Sequence, residues 1–515
     1  MPSRIASALR LVVAGYVLAR HDALAPREVA SLLPATARFG AGALRMLAGG
    51  SKAPGRPGER LARAFEQLGP AAIKLGQLLS TRADIFGEQF VDDLGHLKDR
   101  LPPFPLAVAR AQVESELGRP IDSLFLDFQP PIGAASLAQA HPAVMIDGRR
   151  VAVKVLRPGV ERRVMADIGA LHLGAALAER LAPPLRRLEP RAFAVTVARS
   201  LELELDLRLE AAACSELGEV MAESSHMRAP KVIWEGVAKR VLTLEWVDGT
   251  PLSRPEALDL PGLDRPALAN HVTRGFLTQA LDHGVFHADL HEGNLFVQPP
   301  ARLTAVDFGI VGRLGPGERR YLAEILWGFL RRDYARVSRV HFEAGYVPER
   351  HDPAAFAQAL RAVGEPVIGA KARDVSMGRL LAQLFEITAL FDMRLRPELV
   401  LLQKTMVTVE GVARRIDPDN DIWAAAEPVV GRWIARELSP AAKLRDLVRE
   451  GRAAVAALAR MAAPAAAAEP DVGAPVTPDA PPPDAAHPAI WFLAGAAASA
   501  VAFTLAVLLR LVGAH

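Results

Sequence analysis

The apolar positions of this 515-residue chain change period several times along its length. Residues 58–98 repeat apolar side chains at intervals of three and four, the period of a helix with one buried face. Gly69-Pro70 interrupts that stretch and starts a new helix, because proline suits a first helical turn, and the following turns bring Lys74 and Gln77 onto adjoining faces. Strand-like runs dominate from about residue 123 to 155, and residues 151–154 read V-A-V-K, a β-branched strand ending in lysine. Residues 241–249, V-L-T-L-E-W-V-D-G, form an apolar strand that breaks at Asp248-Gly249, and residues 303–306 form another. Beyond Asp307 the pattern is mainly helical. Residues 201–210, L-E-L-E-L-D-L-R-L-E, alternate as a strand would. Leucine, glutamate and arginine are nevertheless strong helix formers, and the run enters Ala211-Ala212-Ala213 without a turn signal. We therefore expect one continuous helix there, with Asp206 and Glu210 sharing a face and Glu204 pointing elsewhere.

Both ends carry apolar segments of a different kind. Residues 490–509 contain no charge and, at about 1.5 Å per residue, just span a hydrocarbon core of about 30 Å. They predict a transmembrane helix, set off by an Ala/Pro-rich linker over 462–488 that includes Pro481-Pro482-Pro483. Gly495 and Ser499 form a small-x-x-x-small pair that permits close helix contact and hence a homodimer. Residues 11–19 are apolar between Arg4, Arg10 and Arg20, too short to span and without the cleavage site of a signal peptide. An amphipathic helix resting on a membrane or on the fold is the expectation.

Composition narrows the class. The chain is 50% hydrophobic with net charge +3, ample for a core and too evenly mixed in sign for a nucleic-acid surface. Its single cysteine, Cys214, excludes an intramolecular disulfide and reads as a small buried hydrophobe.

Residues 287–294 read H-A-D-L-H-E-G-N, and Asp307-Phe308-Gly309 follows the strand at 303–306. That spacing is that of a phosphoryl-transfer centre. Asp289 reaches the attacking hydroxyl or water, while Asn294 and Asp307 hold the Mg²⁺ that bridges nucleotide phosphates. Lys154 brings an ammonium to the α/β-phosphates, and the strand ending near Glu245 and Val247 suits a hinge whose backbone meets adenine. Taken singly, V-A-V-K is equally a buried strand with a snorkelling lysine; the ordered combination carries the reading. His283, His287 and His291 recur every four residues, but Asp289 and Gly293 break any helix there, which argues against zinc. No glycine-rich loop precedes Lys154, and residues 133–141, Gly133-Ala134-Ala135-Ser136-Leu137-Ala138-Gln139-Ala140-His141, stand in its place. No A-P-E motif follows Gly309, so a peptide substrate has little to dock on.

With these parts the sequence resembles the UbiB family of atypical kinase-like proteins over roughly residues 60–420. The family's K-x-G-Q motif matches Lys74-Leu75-Gly76-Gln77, its alanine-rich nucleotide loop matches residues 133–141, and its E-x-D motif matches Glu204-Leu205-Asp206. The resemblance implies an α+β, two-lobed protein-kinase-like fold with a helical K-x-G-Q extension and a C-terminal membrane helix. It implies ATP and Mg²⁺ as ligands, with Gly133, Ala134, Ala135, Ser136, Leu137, Ala138 and Gln139 at the nucleotide. It pairs Glu210 with Lys154, brings Glu204 and Asp206 to the nucleotide from the K-x-G-Q side, and gives Lys74, Gly76 and Gln77 a regulatory place over the acceptor site. It further implies support of ubiquinone biosynthesis at a bacterial inner membrane, catalytic region in the cytoplasm, beside membrane lipids, quinone precursors or other biosynthetic proteins. Gly133 stands where alanine is usual, Cys214 where asparagine is common, and Glu292 replaces a proline, which puts a further carboxylate near the metal. The expected division is 1–57, 58–120 with K-x-G-Q, an N-lobe over 121–250, a C-lobe over 251–461, the linker over 462–488 and the span over 489–512. A small-molecule phosphotransferase acting on a prenylphenol and a non-catalytic nucleotide-responsive scaffold are the alternative functions.

Overall fold

The computed structural model describes residues 4–23, 54–79, 88–95, 102–181, 190–366 and 397–438, with 46, 97, 387 and 390–393. The expected linker and transmembrane segment lie outside these residues; among the described residues no helix is long and apolar enough to cross a membrane. Helix α1 (Arg4–Arg20) is followed by α2 (Pro57–Leu68), α3 (Pro70–Leu79), α4 (Glu88–Gly95) and α5 (Leu106–Leu117). Strands β1 (Phe125–Phe128), β2 (Gly133–Ala134), β3 (Ala138–Met145) and β4 (Arg150–Leu156) come next. Helices α6 (Val160–Leu181), α7 (Pro190–Glu204) and α8 (Leu207–Ala222) then lead to β5 (Val241–Glu245), which completes an antiparallel sheet of order β1-β3-β4-β5 with β2 on β3.

Period two sorts the residues of β4. Val151, Val153 and Val155 are fully buried against Ala109 and Val113 of α5, each stabilising by about 1.5–3 kcal/mol relative to exposure. Ala152 and Lys154 therefore face the other side, where Leu242 packs with Leu201, Leu205 and Leu207. The run 201–210 is helical as expected but not continuous, because α7 ends at Glu204 and α8 begins at Leu207. One unbroken helix would place Leu205 and Leu207 about 200° apart and strand one of them in solvent. The break lets both turn to the sheet, while Leu203 and Leu209 are exposed. Asp206 caps the new helix by accepting from the Arg208 amide (3.1 Å).

The N-terminal helix rests on the fold: Ala8 and Leu11 of α1 pack with Leu173 and Leu177 of α6, and Arg10 pairs with Asp167. Gly69, at φ 102°, separates α2 from α3.

The second lobe runs β6 (Thr250–Pro251), α9 (Arg265–Thr278), β7 (Val285–His287), β8 (Leu295–Gln298), β9 (Arg302–Ala305) and β10 (Val311–Arg313). It continues through α10 (Pro316–Leu330), α11 (Tyr334–Glu343), α12 (Pro353–Gly364), α13 (Pro397–Ile416) and α14 (Ile422–Glu437). Strands β6, β8 and β9 form one small antiparallel sheet and β7 with β10 another, around a core that includes Phe276, Phe286, Leu290, Phe308, Val409 and Val430. Cys214 of α8 reaches that core, its thiol directed at the Pro230 carbonyl (3.3 Å) and pushed up by burial to about 12. A π-helical turn, Gln279–His283, ends α9 and presents Gln279 to accept from the His287 amide (3.0 Å). Gly284 then reverses the chain at φ 71°, where a Cβ would lie 2.6 Å from the Leu314 carbonyl oxygen, so only glycine fits. Directly after Gly309 the chain returns as β10 against β7, and α10 begins at Pro316.

Candidate active site

Strand β4 lies between β3 and β5, which holds the Lys154 backbone between Ala140 and Leu242. Its ammonium donates to both carboxylate oxygens of Glu210 on α8 (2.7 and 2.9 Å) and stands 3.5 Å from Asp307. Burial opposes the Lys154 charge, but Asp307, Glu210 and Glu204 outweigh it and raise the pKa above the usual lysine value. Burial, with help from Asp307 and Glu204, pushes Glu210 up to about 6 against the pull of Lys154. Asp307 is held below the usual carboxylate value chiefly by Lys154, against its own desolvation. One ammonium thus ties the first lobe to the D-F-G segment of the second.

The interruption between α7 and α8 turns Glu204 toward this cluster as well. Glu204 pairs with Lys74 of α3, and burial raises its carboxyl against that attraction. The expected geometry is corrected here: Glu204 faces the site, whereas Asp206 binds the backbone and guanidinium of Arg208 (2.8 and 2.6 Å to the side chain). Gly76 lets α3 approach its neighbours, since a Cβ there would meet Leu97 Cδ1 at 2.3 Å and Phe65 Cδ2 at 2.7 Å. Gln77 follows on the same short helix and is also engaged in a contact.

The loop after β7 is fixed by its first histidine. His287 is fully buried; its Nδ1 accepts from the Asp289 amide (3.1 Å) and its Nε2–H donates to the Val306 carbonyl (3.1 Å), which sets the tautomer. Asn294 donates through Nδ2 to the Asp289 carbonyl (3.0 Å), leaving its amide oxygen as a ligand atom. Asp307 takes a left-handed φ of 62°, a conformation aspartate tolerates, and its Oδ1 accepts from the Gly309 amide (3.3 Å). A half-exposed carboxylate and an oriented amide oxygen are hard oxygen donors, and they fit Mg²⁺. The three regularly spaced histidines diverge: His283 meets Glu223 (3.6 Å), His287 meets Val306, and His291 Nδ1 accepts from the Gly293 amide (3.0 Å).

The alanine-rich segment folds as a tight hairpin, with Gly133 paired to Ala140, Ala134 paired to Gln139, and the Ala135 amide donating to the Ala138 carbonyl (2.8 Å). Arg157 clamps it through the Ala135 carbonyl (3.0 and 2.8 Å). Ser136, Leu137 and Ala138 are buried, and Gly133 has open space where a Cβ would stand. Gln139, expected at the nucleotide, commits its amide to the Phe104 backbone (2.9 and 3.2 Å) and to His141 (2.8 Å). That side chain builds the hairpin base. At the hinge, Glu245 turns its carboxylate to Arg228 (2.9 Å) and the Lys231 amide (3.0 Å) and donates its own amide to the Lys231 carbonyl (2.8 Å), so what it offers a ligand is its backbone carbonyl; Val247 beside it is half-buried.

Helix α13 supplies residues that motif spacing does not reveal. Thr405 shares its hydroxyl proton between the Leu401 carbonyl of its own helix (2.8 Å) and the Ala288 carbonyl (3.2 Å), adjacent to Asp289, and Arg415 pairs with Glu292. Glu292, expected as a further carboxylate near the metal, is engaged by Arg415 and so tethers the loop to α13. Lys404, one residue before Thr405, is near enough for the charges of Asp289 and Lys74 to act on it. No signal near residues 287–309 points to these positions.

The sequence matches the ABC1 atypical kinase-like domain over residues 96–341 and the UbiB helical domain over residues 360–421. It is 39% identical over 395 residues to a Marinobacter nauticus protein named "Probable protein kinase UbiB", spanning 76% of this chain and 72% of that one. Proteins of the same name from Xylella fastidiosa and Pseudomonas paraeruginosa are each 38% identical over 76% of this chain, and over 72% and 75% of their own. In fold it is similar to Rv3197 of Mycobacterium tuberculosis, solved with erythromycin, at a TM-score of 0.51 and 24% identity, covering 71% of this chain and 93% of that one. With the kinase-like lobes, the lysine, loop and D-F-G geometry and these matches together, the chain belongs to the UbiB family of ABC1 atypical kinase-like proteins.

Proposed function

We propose that the protein binds Mg²⁺-ATP and transfers or hydrolyses its γ-phosphoryl group, as an atypical kinase or ATPase that promotes ubiquinone biosynthesis at a membrane. The observation that carries this reading is the contact of Lys154 with both Glu210 and Asp307, which brings the phosphate-binding ammonium to the metal-binding carboxylate. The relatives' printed name, a probable protein kinase, supports it. Lys154 orients the α/β-phosphates, with Glu210 keeping its ammonium in place. Asn294 and Asp307 hold Mg²⁺, which when bound neutralises phosphate charge. Asp289 accepts the proton of the attacking hydroxyl or water as its oxygen bonds to the γ-phosphorus. The bond to the bridging oxygen breaks, and ADP leaves with the electron pair. The hairpin over 133–141 covers the phosphates through its backbone, and the strand end at Glu245 and Val247 meets the adenine. Lys74, Gly76 and Gln77 on α3, with Glu204 opposite and Asp206 as the cap that turns it there, regulate access to the acceptor, and with no A-P-E motif after Gly309 a small lipid-borne quinone precursor or water is a better acceptor than a folded protein.

Asp307→Asn tests the core of this reading: Mg²⁺-dependent ATP binding and turnover should disappear while the thermal midpoint stays near wild type. Unchanged affinity and turnover would overturn the assignment. The membrane arm rests on the uncharged run at 490–509. Truncation before Pro481 should release the protein from membranes with nucleotide binding intact and lower quinone content in cells, through loss of effective concentration. A soluble truncation that fully restores quinone would remove it.

A further inference from the structure

Most charged side chains around the cleft pair off among the described residues, but Lys404 does not, and Asp289 has only His291 at 3.7 Å. Lys154 is matched by Glu210 and Asp307, Lys74 by Glu204, and Arg415 by Glu292. His291 turns Nδ1 to an amide and so has no proton to offer there. Lys404 is half-buried on α13, and its ammonium has no hydrogen-bond or ion-pair partner among the described residues. Its position is nonetheless secured at both ends of the loop it faces, since Thr405 is bonded to Ala288 and Arg415 to Glu292. These contacts bracket Asp289, and they fix the helix that carries Lys404 against the loop that carries the aspartate.

A lysine that merely snorkels places its head group in water. This one is desolvated, which lowers its pKa below the usual lysine value; Asp289 acts to hold its charge and Lys74 acts against it. An ammonium with that surrounding, within range of the charge of a second lysine and carried on a helix bonded to the loop beside Asp289, is suited to an anion that arrives with the substrate. The group that passes between Lys154 and Asp289 is a phosphoryl.

We propose that Lys404 is a further catalytic residue, contacting the transferred phosphoryl group and stabilising the charge on its equatorial oxygens while Asp289 takes the acceptor's proton. This rests on the phosphoryl-transfer reading above. Lys404 keeps its own proton throughout; it is an electrostatic partner of the transition state and contributes nothing to the binding of ADP, which lacks the transferred group.

The experiment uses the full chain in lipid vesicles, with Lys404→Met and Lys404→Arg. Steady-state Mg²⁺-ATP hydrolysis, equilibrium binding of ADP and the thermal midpoint are measured for each. Lys404→Met should lower kcat by about 100-fold or more, the scale of removing one preorganised donor from a transition state, with ADP affinity and thermal midpoint unchanged. Lys404→Arg should recover most of that loss, because it restores the charge at the same place. The inference is overturned if kcat of Lys404→Met stays within about threefold of wild type, or if ADP affinity and the midpoint fall together with kcat, which marks a packing role. It is equally overturned if arginine does no better than methionine. The wild-type protein and Asp307→Asn separate the two levels: turnover that Asp307→Asn abolishes and Lys404→Met spares leaves the phosphoryl-transfer reading standing without Lys404. Absence of turnover in the wild type removes both.

Discussion

The wall of the cleft built from β4, α3 and the α7–α8 junction pairs each of its lysines with a carboxylate, whereas on the wall built from the 287–294 loop and α13 the pair of Arg415 with Glu292 tethers the loop and leaves Lys404 and Asp289 without a close counter-ion among the described residues. On the first, Lys154 sits on Glu210 and Lys74 on Glu204. On the second, Lys404 has no partner among the described residues, and the Asp289 carboxylate has only His291 at 3.7 Å. The first wall is complete before any ligand comes and so acts as a preorganised cradle. The second is electrostatically unfinished, and on the proposed function substrate would finish it.

Five substitutions and one pH series can break or sharpen that division. Asp289→Asn, on the unfinished wall, should reduce turnover by about 10³-fold with nucleotide affinity near wild type, as general-base losses do; a parallel loss of affinity would merge the two walls. Lys154→Ala, on the finished wall, leaves Glu210, Glu204 and Asp307 facing one another and should cost about 3 kcal/mol of stability along with nucleotide affinity. Adding Glu210→Leu should recover much of that stability in chemical denaturation and none of the binding, and recovery of both would show that the pair has no role toward the ligand. Gly76→Ala should destabilise by about 1–3 kcal/mol through overpacking on Phe65 and Leu97, read as loss of hydrogen-exchange protection in α3.

The pH series concerns Glu410 of α13, almost fully buried and pushed by desolvation up to about 7 despite Arg414 (2.8 Å). Its folded pKa exceeds the unfolded value of 4.5, so its contribution is fully present below about pH 4.5 and is lost as pH rises through 7. The unfolding free energy should fall by about 1–3 kcal/mol between pH 5 and pH 8 on this account. Glu410→Gln should remove that share of the slope, and an unaltered slope would discard the assignment. Gly133→Ala is the smallest: with open space at its Cβ position and an ordinary φ, stability should change by less than about 0.5 kcal/mol and nucleotide affinity should stay the same.

What was legible in the sequence is what chemistry spaces along one segment. That Lys154 meets Asp307 and that Asn294 meets the Asp289 backbone was readable, because a strand end, a loop and a D-F-G turn recur in that order and at those intervals. The lobes followed from the same order. The α7–α8 break was not read, although Asp206 is an N-cap residue type, because helix propensity over 201–210 hid the conflict between period-two leucines and a helix with one buried face. The direction of the Gln139 amide was not legible, because a motif position says nothing of where a side chain points once Phe104 is beside it. Lys404, Thr405 and Arg415 were invisible for a plainer reason: Thr405 meets Ala288 across 117 residues, a separation that no local pattern encodes.

Cys214 has a practical consequence of its own. The chain's only thiol is buried in the core and held far from its reactive thiolate form, so alkylating and fluorescent reagents have no native target. Single cysteines introduced on the exposed faces of α5 and α11 can therefore be labelled without first removing any residue, and the distance between the two lobes can be followed in the otherwise unaltered protein as nucleotide is added.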